Sequence, residues 1–330
     1  MAKNQKESVL ITGANGFVGS RLCRKLLGDG YHVIAGIREG CNRELIAGLD
    51  MEFRFGDVTC PETLPAMIKD VNYVIHNAGV VKAKNRDLFF KVNHFGAQNI
   101  AQACLQNKKL KKFIFISSLA AAGPSEKGKP RTEEDRPHPL TAYGRSKLAG
   151  EEAILAFKEK INLAIIRPPG IYGPGDKEMF AFFQIINFRI KPYLGSLKRK
   201  LQLVHVDDLC LGISKVIQTD TEPGSIYFIA ESKSYGYKEL IGHLQRAVGK
   251  NGIPLYIPGA LVKVIARVSE AVMKALGQPP MFTVEKAREI LGNWEISTDK
   301  AKRELGFESE TAFPEGAART AEWYFKEGWL

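Results

Sequence analysis

The sequence predicts an α/β protein with a doubly wound parallel sheet, followed by a smaller, mostly helical C-terminal lobe. Apolar runs of strand length alternate with segments of helical period through the first two-thirds of the 330 residues. A glycine-rich turn joins the first predicted strand to the first predicted helix. Strands and helices that alternate in this way form parallel sheets covered by helices on both faces.

Composition and length place the chain among globular proteins. Of its residues, 45% are apolar and 25% are charged, and a chain this long buries a large core without disulfides or metals. The five cysteines are widely spaced, and neither they nor the six histidines show the spacing of metal ligands. The formal charge of +11 is spread along the chain. We therefore expect a cytoplasmic protein with no disulfide framework, no metal site and no nucleic-acid partner.

The predicted strands are short and almost wholly apolar, which is typical of strands buried on both faces. They cover residues 8–12, 32–37, 51–55, 73–76, 113–117 and 163–167. Helical periodicity predicts helices at 17–27, 61–69, 88–106 and 143–158 between them. Beyond residue 167 the rhythm weakens, and the smaller lobe is predicted from strands at 201–206 and 225–230 and helices at 179–190, 237–248, 259–276, 284–291 and 313–326.

The helix predicted near 260–276 is amphipathic and basic. Its apolar positions are Leu261, Val264, Ile265, Val268, Val272 and Leu276, with Lys263, Arg267 and Lys274 among the others. We expect its apolar face to cover the core of its own lobe. Peripheral contact with a membrane is the less favoured alternative. The sequence has no apolar run long enough to span a bilayer.

The glycine-rich turn has the features of a dinucleotide site. Its sequence, TGANGFVG at 12–19, supplies the candidate cofactor residues Gly13, Asn15, Gly16, Phe17, Val18 and Gly19. Gly13 allows the sharp exit from the strand, Gly16 lets backbone approach a pyrophosphate, and Gly19 lets the helix pack tightly on the sheet. The helix start offers N–H groups and a positive dipole end to the phosphates.

This context predicts a Rossmann-type dinucleotide-binding domain. We expect the domain to cover residues 1–169, with the strands near 201–206 and 225–230 returning to its sheet. Residues 170–330 are then predominantly the substrate-binding lobe.

Residues after the second strand indicate which dinucleotide binds. An acidic residue there holds the ribose hydroxyls of NAD, whereas an arginine accommodates the 2′-phosphate of NADP. Ile37 occupies the acidic position and Arg38 follows it. NADP is therefore preferred, and NAD is the alternative, in which Glu39 takes the acidic role. Asp57 follows the third strand and either accepts a hydrogen bond from the adenine or caps a turn.

Tyr143 and Lys147 form the candidate catalytic pair. A spacing of four at the start of a predicted helix places them on one face. Because a lysine cation stabilises a phenolate, we expect it to lower the pKa of Tyr143, which then exchanges a proton with a carbinol oxygen. Ser118 ends a buried strand upstream and can donate to the developing oxyanion, with Ser117 as its competitor.

Together these motifs resemble the extended short-chain dehydrogenases/reductases, also described as the NAD-dependent epimerase/dehydratase family. The resemblance covers nearly the whole chain, closest in pattern to the 3β-hydroxysteroid dehydrogenase and dihydroflavonol reductase branches. It rests on TGANGFVG at 12–19, GDV at 56–58, HNAG at 76–79, VNHFGAQN at 92–99, SSLAAAG at 117–123, YGRSK at 143–147, RPPGIYGPGD at 167–176 and VHVDDL at 204–209.

The resemblance implies a role for each motif residue. It implies Ser118, Tyr143 and Lys147 as the catalytic triad, with Tyr143 and Lys147 also contacting the cofactor. It implies Asn93 as a residue that stabilises a helix and relays protons. The further cofactor contacts that it implies are Asp57, Val58, Ala78, Gly79, Pro168 and Gly170.

Three reactions occur in this family: the interconversion of ketones and alcohols, the epimerisation of a nucleotide sugar, and the dehydration of a nucleotide sugar. A dehydratase is expected to carry Asp-Glu beside the serine, where this sequence has Leu119-Ala120. Nucleotide-sugar enzymes usually carry Arg-Asp where it has Leu201-Gln202. The Phe and Ile run at 180–188 suits a hydrophobic substrate.

We therefore expect an oxidoreductase that transfers a hydride between nicotinamide and a carbonyl or secondary alcohol on a hydrophobic small molecule. The first alternative is a nucleotide-sugar 4-epimerase like UDP-glucose epimerase. The second is a sensor that binds the dinucleotide without turnover, although such proteins typically lack the tyrosine or lysine. A homodimer is compatible with each of these functions.

Overall fold

Seven parallel strands form the central sheet. The computed structural model describes residues 6–276, 278 and 282–330. The strands of the whole described chain, including those outside the central sheet, are in chain order β1 (Ser8–Thr12), β2 (His32–Ile37), β3 (Glu52–Phe55), β4 (Tyr73–His76), β5 (Lys112–Ile116), β6 (Leu163–Ile166), β7 (Gly170–Tyr172), β8 (Ile190–Leu194), β9 (Lys200–Leu201), β10 (Leu203–His205), β11 (Ser225–Tyr227), β12 (Tyr235–Gly236) and β13 (Ile253–Ile257). The sheet has the order β11-β6-β5-β4-β1-β2-β3, with every pair parallel. The predicted parallel α/β sheet is confirmed.

Helices cover both faces of this sheet. In chain order they are α1 (Phe17–Gly28), α2 (Leu64–Ile68), α3 (Arg86–Phe89), α4 (Gly96–Cys104), α5 (Leu119–Ala122), α6 (Ala142–Leu155), α7 (Phe180–Asn187), α8 (Val206–Gln218), α9 (Tyr237–Val248), α10 (Gly259–Ala275), α11 (Val284–Leu291), α12 (Asp299–Leu305) and α13 (Phe313–Lys326). Alternate strand residues face opposite sides, so Val9 and Ile11 pack with α1 and α8, whereas Leu10 packs with α2 and α4.

The strand order reverses between β1 and β4. From β1 the chain builds outward through β2 and β3, then crosses back to place β4 on the other side of β1. At such a reversal the loops that follow neighbouring strands diverge and leave a crevice at the carboxyl ends of the strands. The loops after β1, β4, β5 and β6 therefore surround one crevice, the candidate site.

One strand predicted to return to this sheet does not do so. Residues 203–205 form β10, which pairs in parallel with β7 in a separate two-stranded sheet. The place beside β6 is taken by β11, where Ser225 lies opposite Ala164. Because β11 occupies the edge beside β6, β10 pairs instead with β7, the short strand that follows β6 in the chain.

The helix predicted over 88–106 is divided into three parts. Residues Arg86–Phe89 are α-helical, Phe90–Phe95 form a π-helix, and α4 continues from Gly96. The hydrogen bonds of a π-helix join residues five apart, one more than in an α-helix, and such turns frequently occur at functional sites. Apolar periodicity does not reveal this insertion, because the sequence remains helical in pattern on both sides of it.

Helix α10 is not packed as expected. Val262 and Ala266 are its buried residues and pack near α11. The predicted apolar face is exposed at all of its members, namely Leu261, Val264, Ile265, Val268, Val272 and Leu276. The expectation that this face covers the core of its own lobe is therefore wrong, since a narrower stripe of the helix makes the contact. None of the helices in the described part of the chain has the length and apolar character needed to cross a membrane.

Candidate active site

Two glycines bring the turn after β1 into close contact with its surroundings. Gly13 has a φ of +67°, and a Cβ atom there would lie 2.9 Å from the Cα atom of Ala78, just after β4. A Cβ atom on Gly19 would lie 2.1 Å from the carbonyl oxygen of Gly13. Gly13 therefore fixes the turn against the end of β4, and Gly19 fixes α1 against the turn.

Gly16 lies at the start of α1, where the chain itself leaves room. A Cβ atom there would come no closer than 3.4 Å to the rest of the described chain. Gly16 occupies the capping position. No side chain of the capping residue therefore covers the first N–H groups of the helix, which belong to Phe17 and Val18. Asn15 is turned aside, and its Nδ2 donates to the carbonyl of Asn42 at 2.9 Å. This exposed helix start fits a pyrophosphate.

The residues expected near the adenosine lie after β2 and β3. Arg38 is exposed and directly follows β2. Asp57 caps a turn, because its carboxylate accepts the N–H and the hydroxyl of Thr59 at 2.8 and 2.9 Å. Turn capping was one of the two roles that the sequence left open for Asp57. Val58 is buried, and contact of Asp57 or Val58 with adenine stays a prediction.

Tyr143 and Lys147 lie one turn apart at the start of α6. The hydroxyl oxygen of Thr141 caps this helix by accepting the N–H of Gly144 at 3.1 Å. Lys147 is buried, and its Nζ donates to the carbonyl of Ile116, the last residue of β5, at 2.9 Å. The cap and this hydrogen bond direct the pair toward the carboxyl end of the sheet.

Burial dominates the acid–base properties of the pair. It raises the pKa of Tyr143 to about 12, although hydrogen bonding to the side chain of Ser118 opposes the rise. It lowers the pKa of Lys147 to about 8, against the attraction of Glu151. The expectation that Lys147 lowers the pKa of Tyr143 is therefore wrong, because desolvation is the larger effect and the ammonium is held at the Ile116 carbonyl.

The two adjacent serines have different environments. Ser118 caps the short helix α5 by accepting a backbone N–H at 3.1 Å, and it also contacts Tyr143. Ser117 is buried and donates to Glu151, which pairs with Arg167 through hydrogen bonds of 2.9 and 2.5 Å. Ser118 is thus the serine beside the tyrosine, whereas Ser117 belongs to a buried ionic network.

Asn93 lies in the π-helical segment and joins the loop after β4 to α6. Its Oδ1 accepts the N–H of Val80 at 2.9 Å, and its Nδ2 donates to the Val80 carbonyl and the Ser146 hydroxyl, each at 3.0 Å. A Cβ atom on Gly79 would lie 3.0 Å from Asn93 Oδ1 and 3.1 Å from Lys147 Nζ. Three residues predicted from separate motifs thus meet at one point.

Two residues expected near the nicotinamide follow β6. The carbonyl of Pro168 accepts the N–H of Leu119 at 2.8 Å, which places it beside the turn that carries Ser118. Gly170 is exposed and begins β7. Both residues therefore border the crevice on the side of β6.

Two buried polar pairs near the crevice were missed from the sequence. The hydroxyl of Thr12 accepts the N–H of Ala78 at 3.1 Å and bonds to His76 Nδ1 at 2.8 Å. Burial lowers the pKa of His76 to about 3, so the ring is neutral. The other pair is Glu151 with Arg167. For Thr12, His76 and Arg167 the available signal was a polar residue at the end of an otherwise apolar strand.

The aromatic run of α7 mainly builds the core of the C-terminal lobe. Phe183 and Ile186 are fully buried. The ring of Phe180 packs on Tyr324 and Trp329, with centroids 4.9 and 5.2 Å away. Most of the expected apolar substrate wall is therefore lobe core, because these side chains attach α7 to α13.

The family model for the NAD dependent epimerase/dehydratase family matches residues 9–230, which include the glycine turn, Asn93, Ser118, Tyr143 and Lys147. The chain belongs to this family. It is 30% identical to the ceramide reductase of Caulobacter vibrioides over 332 residues, which cover 100% of this chain and 98% of that protein. It is 26% identical to the UDP-glucose 4-epimerase of Vibrio cholerae, covering 97% and 96%.

Solved structures agree with this fold. The crystal structure of gox2253 has a TM-score of 0.83 and 25% identity, covering 98% of this chain and 99% of that one. The dTDP-glucose 4,6-dehydratase DesIV from Streptomyces venezuelae, solved with NAD and TYD bound, has a TM-score of 0.79 and 23% identity, covering 98% of both chains. From the family match and its reductase and epimerase relatives, the protein is an enzyme of the extended short-chain dehydrogenase type that uses a nicotinamide dinucleotide, as predicted.

Proposed function

We propose that this enzyme is an NADP-preferring ketone reductase or alcohol dehydrogenase for a long-chain lipid, with Tyr143 as its proton donor. The observation that supports this proposal is the meeting of Tyr143 and Ser118 beside Lys147 at the carboxyl end of the sheet. A nicotinamide cofactor, when bound, supplies the hydride to a carbonyl carbon or accepts it from a secondary alcohol. The enzyme must then supply or remove one proton at the oxygen.

The residues around the crevice fit a dinucleotide. The exposed start of α1 at Gly16 would hold the pyrophosphate. Lys147 would hold the nicotinamide ribose, and Pro168 and Gly170 would border the nicotinamide ring. The exposed guanidinium of Arg38 would bind a 2′-phosphate, which supports the preference for NADP.

Tyr143 is suited to proton donation in the reductive direction. With a pKa raised to about 12, its phenol is protonated at neutral pH and donates as negative charge develops on the substrate oxygen. Ser118 donates a hydrogen bond to the same oxygen. The Lys147 ammonium, charged below a pKa of about 8, adds positive charge at the same end of the sheet. Asn93 is a positioning residue that holds the loop at Gly79 against α6.

The proposed substrate class is supported by the similarity to a ceramide reductase over the full length of both chains. A sugar diphosphate is less suited, because the position where nucleotide-sugar enzymes carry an acidic residue after arginine holds Gln202. The Gln202 side chain is buried, donates to the Glu231 carbonyl at 2.6 Å and accepts the Ile296 N–H at 2.8 Å. It is therefore committed to internal contacts.

Turnover of reduced nicotinamide tests the proposal. We expect NADPH oxidation with a long-chain 3-oxo amide lipid in detergent micelles, and slower oxidation with NADH. Tyr143→Phe should lower kcat by about 10²-fold or more and leave NADP affinity nearly unchanged. The matched control is Tyr31→Phe, which removes a hydroxyl just before β2, at the amino end of the sheet.

Two other outcomes would contradict the proposal. Interconversion of UDP-glucose and UDP-galactose without net cofactor consumption would instead support the epimerase function. Tight dinucleotide binding without turnover of any ketone, alcohol or nucleotide sugar would support the sensor function.

A further inference from the structure

Helix α10 presents a broad apolar face to solvent. Six apolar residues of α10 and its C-cap are 45–66% exposed, namely Leu261, Val264, Ile265, Val268, Val272 and Leu276. At about 100° per residue, they fall within an arc of roughly 120°. Single exposed apolar residues are normal on a protein surface, but a continuous face of this size indicates an interaction site.

A row of cations lies along one edge of this face. Lys263, Arg267 and Lys274 are exposed and occupy an arc of roughly 40° beside the apolar residues. Glu270, the acidic residue of α10, is used internally, since its Oε1 accepts the Val284 N–H at 2.9 Å. The exposed surface of α10 is therefore both apolar and basic.

The strand that precedes α10 also exposes apolar side chains. Strand β13 leads into the helix through Pro258, and its Ile253, Leu255 and Tyr256 are 76%, 48% and 59% exposed. It pairs in parallel with β8, just after Phe188, which is 74% exposed. Exposed apolar side chains thus occur on two elements that are consecutive in the chain.

We propose that α10 and β13 form a docking surface for an anionic lipid bilayer. An amphipathic helix with Lys and Arg beside its apolar face lies in the interface, where the apolar side chains enter the acyl boundary and the cations contact anionic headgroups. The same helix of a second copy offers these cations no free acidic partner, because Glu270 is used internally. Charge complementarity therefore favours the bilayer over a second copy of the chain.

This surface lies one helix away from the candidate catalytic tyrosine. Helix α10 packs on α11, where Val262 and Ala266 share a cluster with Ala287. On α11, Glu285 accepts the N–H of Ala142 at 2.9 Å, and Ala142 begins the helix that carries Tyr143. Access of a membrane lipid to the crevice rests on the proposed function, whereas the docking itself does not.

Flotation with extruded vesicles tests the docking surface. We expect the full-length enzyme to float with phosphatidylcholine vesicles that contain phosphatidylglycerol, and to bind pure phosphatidylcholine much more weakly. The triple variant Val264→Ser, Val268→Ser and Val272→Ser should lose at least about tenfold in vesicle affinity. The triple variant Lys263→Gln, Arg267→Gln and Lys274→Gln should lose a similar factor, most strongly at low salt.

A matched variant separates this surface from the general charge of the protein. Lys108→Gln, Lys127→Gln and Lys326→Gln remove the same charge from exposed positions outside α10, and vesicle binding should fall by less than about threefold. Circular dichroism and dinucleotide titration should be unchanged in all three variants. Because these readouts need no substrate, failure of the proposed reaction would leave the docking result intact.

Equal binding to both kinds of vesicle, no binding to either, or an equal loss in the matched variant would overturn the proposal. A dimer of the wild-type enzyme that dissociates in the serine variant, without vesicle binding, would instead assign the surface to a second copy.

Discussion

Gly16 and Gly19 provide a pair of substitutions that separates cofactor binding from folding. At Gly16 the backbone has φ −85° and ψ 178°, which alanine adopts readily, and its Cβ would have no contact closer than 3.4 Å within the described chain. At Gly19 the Cβ would lie 2.1 Å from the Gly13 carbonyl oxygen and 2.8 Å from the Ala14 Cα. Backbone atoms form that contact, so α1 must move away from the sheet.

The expected effects of the two substitutions therefore differ. Gly16→Ala should change the free energy of unfolding by less than about 1 kcal/mol, because only unfolded-chain entropy and capping preference change. It should weaken dinucleotide binding at least about tenfold, or about 1.4 kcal/mol, since the methyl group occupies the approach to the helix start. Gly19→Ala should destabilise the fold by a net amount of about 1–3 kcal/mol, because the overpacking outweighs the gain of about 1 kcal/mol in helix propensity.

Isothermal titration with NADP⁺ and NAD⁺ measures the change in dinucleotide affinity. Urea unfolding monitored by circular dichroism measures the change in the free energy of unfolding. Gly28→Ala, at the far end of α1 where an added Cβ would meet no described atom within 4 Å, is the control for both. If Gly16→Ala binds both dinucleotides as the wild type does, the pyrophosphate is not held at this helix start. If Gly19→Ala unfolds at the wild-type urea concentration, the close contact of α1 with the turn is not a constraint on the fold.

Three further substitutions test charged groups. Arg38→Glu should weaken NADP⁺ binding at least about tenfold more than NAD⁺ binding in the same titration, and equal losses would refute the cofactor preference. Lys147→Met should abolish turnover yet stabilise the protein at pH 7 by up to about 3 kcal/mol, because burial lowers the pKa of Lys147 from 10.5 to about 8. The unfolded lysine keeps its proton up to the higher value, so wild-type stability should rise between pH 8 and 10, and urea unfolding of the variant should lack this rise. Glu151→Gln leaves the buried Arg167 guanidinium without its carboxylate and should cost about 3–5 kcal/mol in urea unfolding; a cost below 1 kcal/mol would show that the pair is not desolvated as the structure has it.

The glycine turn and the strand–helix alternation were predictable because they depend on local patterns. A buried parallel strand needs an apolar run, and a turn that presses against β4 and α1 needs residues without side chains, as Gly13 and Gly19 illustrate. The spacing of Tyr143 and Lys147 likewise follows from helix geometry alone. These features therefore appear in the sequence at the positions where the structure has them.

Features that depend on distant neighbours were not predictable in the same way. The pKa of Tyr143 was expected to fall, but its direction depends on how deeply other segments bury the phenol. The strand at 203–205 was expected in the main sheet, but β11 occupies the edge beside β6. The choice between Ser117 and Ser118 depends on Glu151, which is contributed by α6.

The sequence by itself determined the parallel sheet, the glycine turn and the tyrosine–lysine pair, since period, composition and spacing are properties of contiguous residues. Only the tertiary structure decided which apolar surfaces are covered. Leu261 and Val268 of α10 have the pattern of core residues, yet they face solvent because α11 contacts the stripe at Val262 and Ala266 instead. Burial is a property of the neighbours that a residue acquires on folding, and a helical pattern specifies that a face is apolar without specifying what lies against it.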